Sequence, residues 1–374
     1  TMAPCSAPTT FHRTVAEPPV PDLYVEKVCS EIDWICSVYN ITNFTSVYFG
    51  GGTPSLLTLE QVEKIMQKIR PHLSQNLRAN ICPNPTEITF ELNCDDVSEK
   101  YLKGLFDCGI NRFSVGVQSL SDKVLKTIRR RSSASVAKNA MKILSDFSKK
   151  HDVRISADFI AGLPFSTEEE LISDLDFAIQ LKFNHISLYS LTLEEKTPLY
   201  MQIESGKIAY DEEKADLQWI CGRDFLLQNG FAEYEVSNFA RPAESRPPET
   251  NQSQHNLTYW KGKNYVGVGA GAVSTLYSSE NCCSAKRISN KCDIKLYEEC
   301  ENFEQVQEIE FLDKKTLMFE FLMTGFRTQA GVNSDEFFAR FGEEFEKFLP
   351  ENADELIKNG KLIKKEHSYN LSND

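Results

Sequence analysis

The chain has no CxxC pair and no compact three-cysteine cluster, although eleven cysteines are scattered through its 374 residues. The tightest group, Cys282, Cys283, Cys292 and Cys300, lacks the spacing of a zinc or iron–sulfur site. An odd number of cysteines in a long chain with no export signal reads as thiols in a reducing compartment, not as a disulfide framework. No apolar run approaches the roughly 18 residues of a membrane-spanning helix. No secretory core is visible either, so the N-x-S/T sequons at Asn40, Asn43, Asn251, Asn256 and Asn370 are not expected to carry glycans. Positive charge is in short supply: 41 Lys and Arg face 54 Asp and Glu, a net charge of −13. That balance argues against a nucleic-acid partner held through phosphates. There is no GxSxG nucleophile elbow and no Ser-His-Asp or Cys-His order. Histidine is scarce, with six in all.

What is present points to alternating strands and helices. Residues 1–21 are rich in Pro, Thr, Ser and Ala without periodicity and read as disordered. From Asp22 the pattern predicts helices over 23–38, 58–69, 98–108, 122–129, 135–147, 167–181 and 212–228. Between them it predicts strands ending at Phe49 and covering 87–92, 112–117, 154–160, 185–191 and 233–236. Such alternation implies βα units on a parallel sheet. The expected architecture is a partial (β/α) barrel, with an open doubly wound sheet as the alternative. After about Arg241 a Pro/Ser/Glu linker over 242–252 leads to a glycine-rich stretch over 264–272 and to helices over 313–323 and 334–341. The expected domains are therefore 22–241 and 242–374, the second smaller and mostly helical.

The glycine triplet Gly50-Gly51-Gly52 follows the apolar run Val47-Tyr48-Phe49. Without Cβ atoms a ligand can approach the backbone. Thr58 and Gln61 then form a capping box for the next helix. The stretch is neither GxGxxG nor GxxxxGK[ST], so dinucleotide and P-loop readings do not fit. Function in a parallel barrel sits at the carboxyl ends of the strands. Those ends carry Gly50 to Thr53, then Glu91 and Asn93, Gln118, Asp158, and Tyr189-Ser190, with Arg130 one helix beyond Gln118. Carboxylates, an amide, a guanidinium and free backbone groups suit a ligand bearing an amine, a carboxylate and hydroxyls. The competing reading is that Glu91, Arg130 and Asp158 only pair with one another or with solvent. A second constellation is Gln254-His255-Asn256-Leu257-Thr258-Tyr259-Trp260. A histidine among aromatics suits a haem iron and a porphyrin face, although a lone histidine is more often structural.

Six segments, in order, resemble the HemN/HemW family of radical S-adenosylmethionine proteins. They are 48–57 (YFGGGTPSLL), 87–93 (EITFELN), 109–120 (GINRFSVGVQSL), 158–164 (DFIAGLP), 234–240 (YEVSNFA) and 255–272 (HNLTYWKGKNYVGVGAGA). The likeness is greatest to the haem-chaperone branch, whose eukaryotic members are mitochondrial. It implies a partial (β/α)6 radical-SAM-type barrel, truncated at its first strand, with a HemN-type C-terminal domain. It also implies that Gly51, Gly52 and Thr53 contact the methionine part of S-adenosylmethionine, and that Glu91, Gln118, Arg130 and Asp158 line the cofactor pocket. His255, Asn256 and Tyr259 match the HNxxY motif associated with haem. The implied partners are haem-accepting proteins, with mitochondrial placement and a cytoplasmic alternative.

One departure matters. The family carries CxxxCxxC for a [4Fe–4S] cluster, and no such motif occurs here; Cys5, Cys29 and Cys36 cannot stand in for it. The expectation is that this chain binds no cluster at the family site, has no protein metal ligands and lacks coproporphyrinogen III oxidase activity. Haem binding and delivery is the leading expectation. A radical enzyme of porphyrin biosynthesis and a non-catalytic truncated isoform are the alternatives.

Overall fold

A strand that alternates polar and apolar residues gives one face to a core and the other to a lumen or solvent. Residues 87–93 do so, and neighbouring strands repeat the pattern in register. The structure, a computed structural model, describes residues 20–73, 86–195, 197–242, 251–278 and 283–372. The expected disordered segment up to residue 19, the linker over 243–250, and Cys5, Cys82 and Cys282 lie outside them.

Two compact units form. The first comprises Thr1–Val20, Asn43–Glu233 and Ser237–Gln252; the second comprises Pro21–Thr42, Tyr234–Val236 and Ser253–Asp374. Helix α1 (Asp22–Val38) thus belongs to the second unit.

In the first unit the parallel strands are β1 (Ser46–Phe49), β2 (Glu87–Asn93), β3 (Arg112–Gln118), β4 (Arg154–Ala161) and β5 (His185–Ser190). Helices α2 (Leu59–Ile69), α3 (Glu99–Asp107), α4 (Asp122–Thr127), α5 (Ala134–His151) and α6 (Glu168–Gln180) alternate with them. Helices α7 (Pro198–Glu204) and α8 (Glu212–Gln228) follow, then the short strands β6 (Ala232–Glu235) and β7 (Asn238–Ala240). The sheet runs β1-β2-β3-β4-β5-β7-β6, with β7 antiparallel to β5. The result is a curled half-barrel whose edge strand at one end is β1.

Local chemistry sets the helix starts. Thr58 and Gln61 close the capping box predicted for α2, with backbone-to-side-chain bonds of 3.2 and 3.0 Å. Thr167 and Glu170 do the same for α6. The apolar faces of the strands are fully covered: Ile88, Phe90, Phe113, Val115, Ala157, Phe159, Ile186 and Leu188 are at most 1% exposed. Buried Leu and Phe on α3, α5 and α6 complete this layer, and Phe113 meets Phe147 edge-on. Each such side chain contributes about 1.5–3 kcal/mol.

The other face is polar yet largely buried. Register places Thr89 opposite Arg112, Glu91 opposite Ser114, Ser114 opposite Ser156, Gly116 opposite Asp158, and Asp158 opposite Ser187. At its amino-terminal end Glu87 pairs with Arg154 at 2.9 Å. His185 Nδ1 lies 2.7 Å from Ser156 Oγ and 3.4 Å from an Arg112 Nη. Burial, with Arg112 and Arg154 nearby, pushes the His185 pKa well down. The ring is neutral, its Nδ1 accepts, and it serves as the structural histidine its strand position suggests.

In the second unit, α9 (Gln254–Trp260) precedes β8 (Val273–Tyr277), β9 (Ala285–Asn290), α10 (Ile294–Glu299), β10 (Gln307–Leu312), α11 (Lys314–Gly325), β11 (Val332–Asn333), α12 (Ser334–Phe341), α13 (Ala353–Lys358), β12 (Leu362–Lys365) and β13 (Ser368–Leu371). Two antiparallel sheets form, ordered β10-β9-β8 and β11-β13-β12. Sequence reading located α11 and α12 but not these six strands, which are short and carry no clean alternation. A cluster of Leu317, Phe337, Phe341, Phe345 and Tyr369 forms one core. Helix α1 is held by a buried carboxylate: Glu31 accepts from Tyr297 Oη at 2.6 Å, Asn290 Nδ2 at 2.7 Å and Gly269 N at 2.8 Å. No helix among the described residues is long and apolar enough to cross a membrane.

Candidate functional site

The carboxyl end of the half-barrel gathers Gly50, Gly51, Glu91, Gln118, Arg130 and Asp158 around β1–β4. Gly51 and Gly52 take left-handed φ values of +73° and +66°, which turn the chain after β1 without the strain a Cβ would add. Thr53 sits at the start of the short 3-10 turn Pro54–Leu56. Gly50 lies beneath the Tyr48 ring: a Cβ there would come 2.7 Å from Tyr48 Cδ1 and 3.1 Å from Glu91 Oε1. The Tyr48 hydroxyl in turn donates to Glu91 Oε1 at 2.7 Å.

Gly116, two strands further on β3, also leaves room for polar side chains. A Cβ at 116 would meet Gln118 Nε2 at 2.8 Å and Arg130 Nη2 at 2.9 Å. Gln118 reaches this position through a bulge after Gly116 and a φ of +68°. Arg130 Nη2 donates weakly to Gly116 O at 3.4 Å, and among the described residues Arg130 makes no ion pair. Asp158 accepts from Ser114 Oγ at 3.1 Å to each oxygen and from Ser156 Oγ at 3.4 Å.

The electrostatics follow from burial. Desolvation raises the pKa of Glu91, opposed by the Tyr48 bond and reinforced by the Asp158 charge. Desolvation also raises Asp158, opposed by its serine partners and by Arg112. Arg130 is lowered by burial and supported by the negative charges around it. The nearby Cys94 thiol is pushed up to about 12 by burial, so it stays protonated. Two buried acids, one raised further by the charge of the other, beside a guanidinium with no direct ion pair among the described residues, suit a zwitterionic guest: a cation near the carboxyls and a carboxylate on Arg130. Among the described residues Glu91, Arg130 and Asp158 form no direct ion pair with one another, although the Asp158 charge acts on both Glu91 and Arg130.

The structure therefore brings Glu91, Gln118, Arg130 and Asp158 together next to Gly50–Gly52. It adds Tyr48, Ser114 and Ser156, which sequence reading did not single out. The inward register of Ser114 and Ser156 was the available signal. Asn93, also at a strand end, gives its backbone N–H to Ser55 Oγ at 3.2 Å. Among the described residues, no group of three or more His, Cys, Asp and Glu side chains is placed to hold a metal ion.

In the second unit, α9 carries His255, Asn256 and Tyr259. Ser253 caps it, accepting from Asn256 N at 3.2 Å. His255 Nε2 and Tyr259 Oη are 3.1 Å apart, one helical turn from each other, and their rings meet edge-on at 5.1 Å. Tyr259 meets Tyr265 edge-on at 4.5 Å, and Thr275 donates to Tyr265 Oη at 2.9 Å. All these rings are partly exposed. A histidine nitrogen beside stacked phenols can serve a metal bound in a flat aromatic ligand.

Comparison with known proteins bears on both places. The sequence matches the Radical SAM superfamily over residues 5–178 and the HemN C-terminal domain over residues 312–373. The first of these matches thus begins upstream of 48–57, the first of the six segments that carry the resemblance. The protein named heme chaperone HemW from Lactococcus lactis is 32% identical over 345 residues, 91% of this chain and 83% of that protein. HemW of Buchnera aphidicola from Acyrthosiphon pisum is 30% identical, over 94% and 87% of the two chains. The mitochondrial radical S-adenosyl methionine domain-containing protein 1 of Danio rerio is 32% identical over 70% of this chain, which spans 55% of that relative. Coproporphyrinogen III oxidase (HemN) of Escherichia coli, described as a radical SAM enzyme, shares the fold at a TM-score of 0.72 and 18% identity, over 94% of this chain and 79% of the other.

Proposed function

The chain belongs to the HemN/HemW family of radical S-adenosylmethionine proteins, and on that premise we propose that it binds haem and passes it to acceptor proteins. The observation that carries this reading is the His255–Tyr259 pair on α9, a metal-ligating side chain fixed by a phenol on a partly exposed aromatic surface. His255 offers an imidazole nitrogen to iron, Tyr259 orients the ring, and Asn256 follows it on the first turn of α9. The relatives named as heme chaperones support this assignment. The mitochondrial relatives favour mitochondrial placement, and the bacterial ones keep a cytoplasmic site open as the alternative.

The half-barrel crevice fits S-adenosylmethionine by its donor set. Gly51, Gly52 and Thr53 would border the methionine part. Arg130 would take the carboxylate, Glu91 and Asp158 an ammonium or ribose hydroxyls, and Gln118 a further polar edge. When bound with an iron–sulfur cluster this cofactor supplies radical chemistry. These crevice residues would bind, orient and desolvate it.

The test is optical titration with ferric haem. The unaltered protein should shift the Soret band, and His255→Ala should weaken binding by about tenfold or more, the scale of one lost strong polar contact. Equal binding by the variant sinks the site assignment.

A further inference from the structure

Arg340, on α12, is a half-buried cation that forms no ion pair among the described residues, and it lies against the loop that leaves α9. Its guanidinium stacks on Tyr277 at 4.5 Å and lies 5.6 and 5.5 Å from the Phe321 and Phe341 rings. Nη2 donates to Gly262 O at 3.2 Å. Nε is buried with no acceptor, and among the described residues the side chain forms no ion pair. An aliphatic side chain would cover the same three rings without burying an unsatisfied donor, a cost of about 1–3 kcal/mol. Gly262 has φ +54°, and a Cβ there would come 2.8 Å from Arg340 Nη1, so the backbone leaves the guanidinium room.

The surroundings add charge of the same sign. Lys261 and Lys263, both exposed, flank Gly262, and neither forms an ion pair among the described residues. Three unneutralised cations gather here in a chain of net charge −13. Two ring contacts and a backbone bridge lead from His255 towards them: His255 to Tyr259, Tyr259 to Tyr265, then the Tyr265–Thr275 bridge to the strand that carries Tyr277.

We propose that Arg340, aided by Lys261 and Lys263, is the carboxylate subsite of the haem site, taking a propionate of the porphyrin whose iron faces His255. This rests on the reading that α9 binds haem. A cation at this place would add what His255 alone does not provide: selection for porphyrins that carry carboxylates.

The test compares ferric protoporphyrin IX with its dimethyl ester, titrated in the same detergent solution into the unaltered protein, R340Q, R340K and H255A. The unaltered protein should prefer the diacid on the order of tenfold, the scale of one charge-assisted hydrogen bond. R340Q should lose most of that preference by weakening for the diacid while its ester affinity stays put; R340K should keep part of it. Equal affinity of the unaltered protein for the two porphyrins overturns the proposal without need of any variant, as does an undiminished preference in R340Q. If H255A binds as the parent does but R340Q loses the preference, the carboxylate subsite stands and the His255 assignment falls. If neither porphyrin binds the parent, both fall.

Discussion

Gly116→Ala separates cofactor binding from folding in the half-barrel. The new methyl would sit 2.8 Å from Gln118 Nε2 and 2.9 Å from Arg130 Nη2, with the nearest backbone atom, Leu92 O, at 3.9 Å. Both close neighbours are the far ends of flexible side chains, so they swing away and the strand stays. Gly116 is not among the residues with positive φ, so alanine adds no strain. Loss of backbone freedom in the unfolded chain stabilises by about 0.4–1 kcal/mol, offsetting the cost of moving two side chains. The thermal midpoint should therefore shift by only about 2–4 °C in either direction. Binding should behave differently. With Arg130 holding the ligand's carboxylate as proposed, displacing it should remove one charge-assisted bond, about 1.5–3 kcal/mol, or roughly tenfold to 150-fold in Kd. Isothermal titration with S-adenosylmethionine, and with S-adenosylhomocysteine as a second probe, reads this directly. An unchanged Kd in a well-folded variant would refute the assignment of Arg130 and Gln118 to the cofactor; a large loss of stability would refute the claim that only side-chain ends give way.

Two further outcomes follow from buried acids. Glu31→Ala leaves Tyr297 Oη, Asn290 Nδ2 and Gly269 N without their shared acceptor in a site that is 0% exposed. A loss of about 3–5 kcal/mol is expected, measured by chemical denaturation, with Glu31→Gln milder because one acceptor remains. Asp174, 8% exposed, has its pKa raised to about 6, chiefly by burial, although Leu120 N at 2.7 Å and Ser119 Oγ at 3.1 Å donate to it. The folded state holds this proton more tightly than the unfolded one, so stability should fall as pH rises from about 4 to about 6 and then level off. Asp174→Asn keeps an acceptor and should flatten that segment of the stability–pH curve; an unchanged slope would show that other groups carry it.

Much of the half-barrel was legible because its signals are local. The capping box at Thr58 and Gln61, the alternation in residues 87–93 and the helical periods between strands each need only neighbours in sequence. The glycine triplet and the acidic strand ends were legible for the same reason, since a parallel sheet places consecutive strand ends on one side. The strands β8–β10 and β11–β13 were not. They are short, and antiparallel partners such as Gln307 and Asn290 find one another through tertiary packing.

The sequence by itself determined the strand faces, the helix starts and the family likeness, because periodicity and motif spacing are properties of nearby residues. Only the tertiary structure decided which groups stand alone. Gly116 matters because Gln118 and Arg130 fold back over it. Glu31 matters because residues 269, 290 and 297 return to it. Arg340 reaches the α9 loop across 78 positions of chain. Desolvation and missing counter-charges arise only when distant segments close around a group, and these decide the chemistry of both candidate sites.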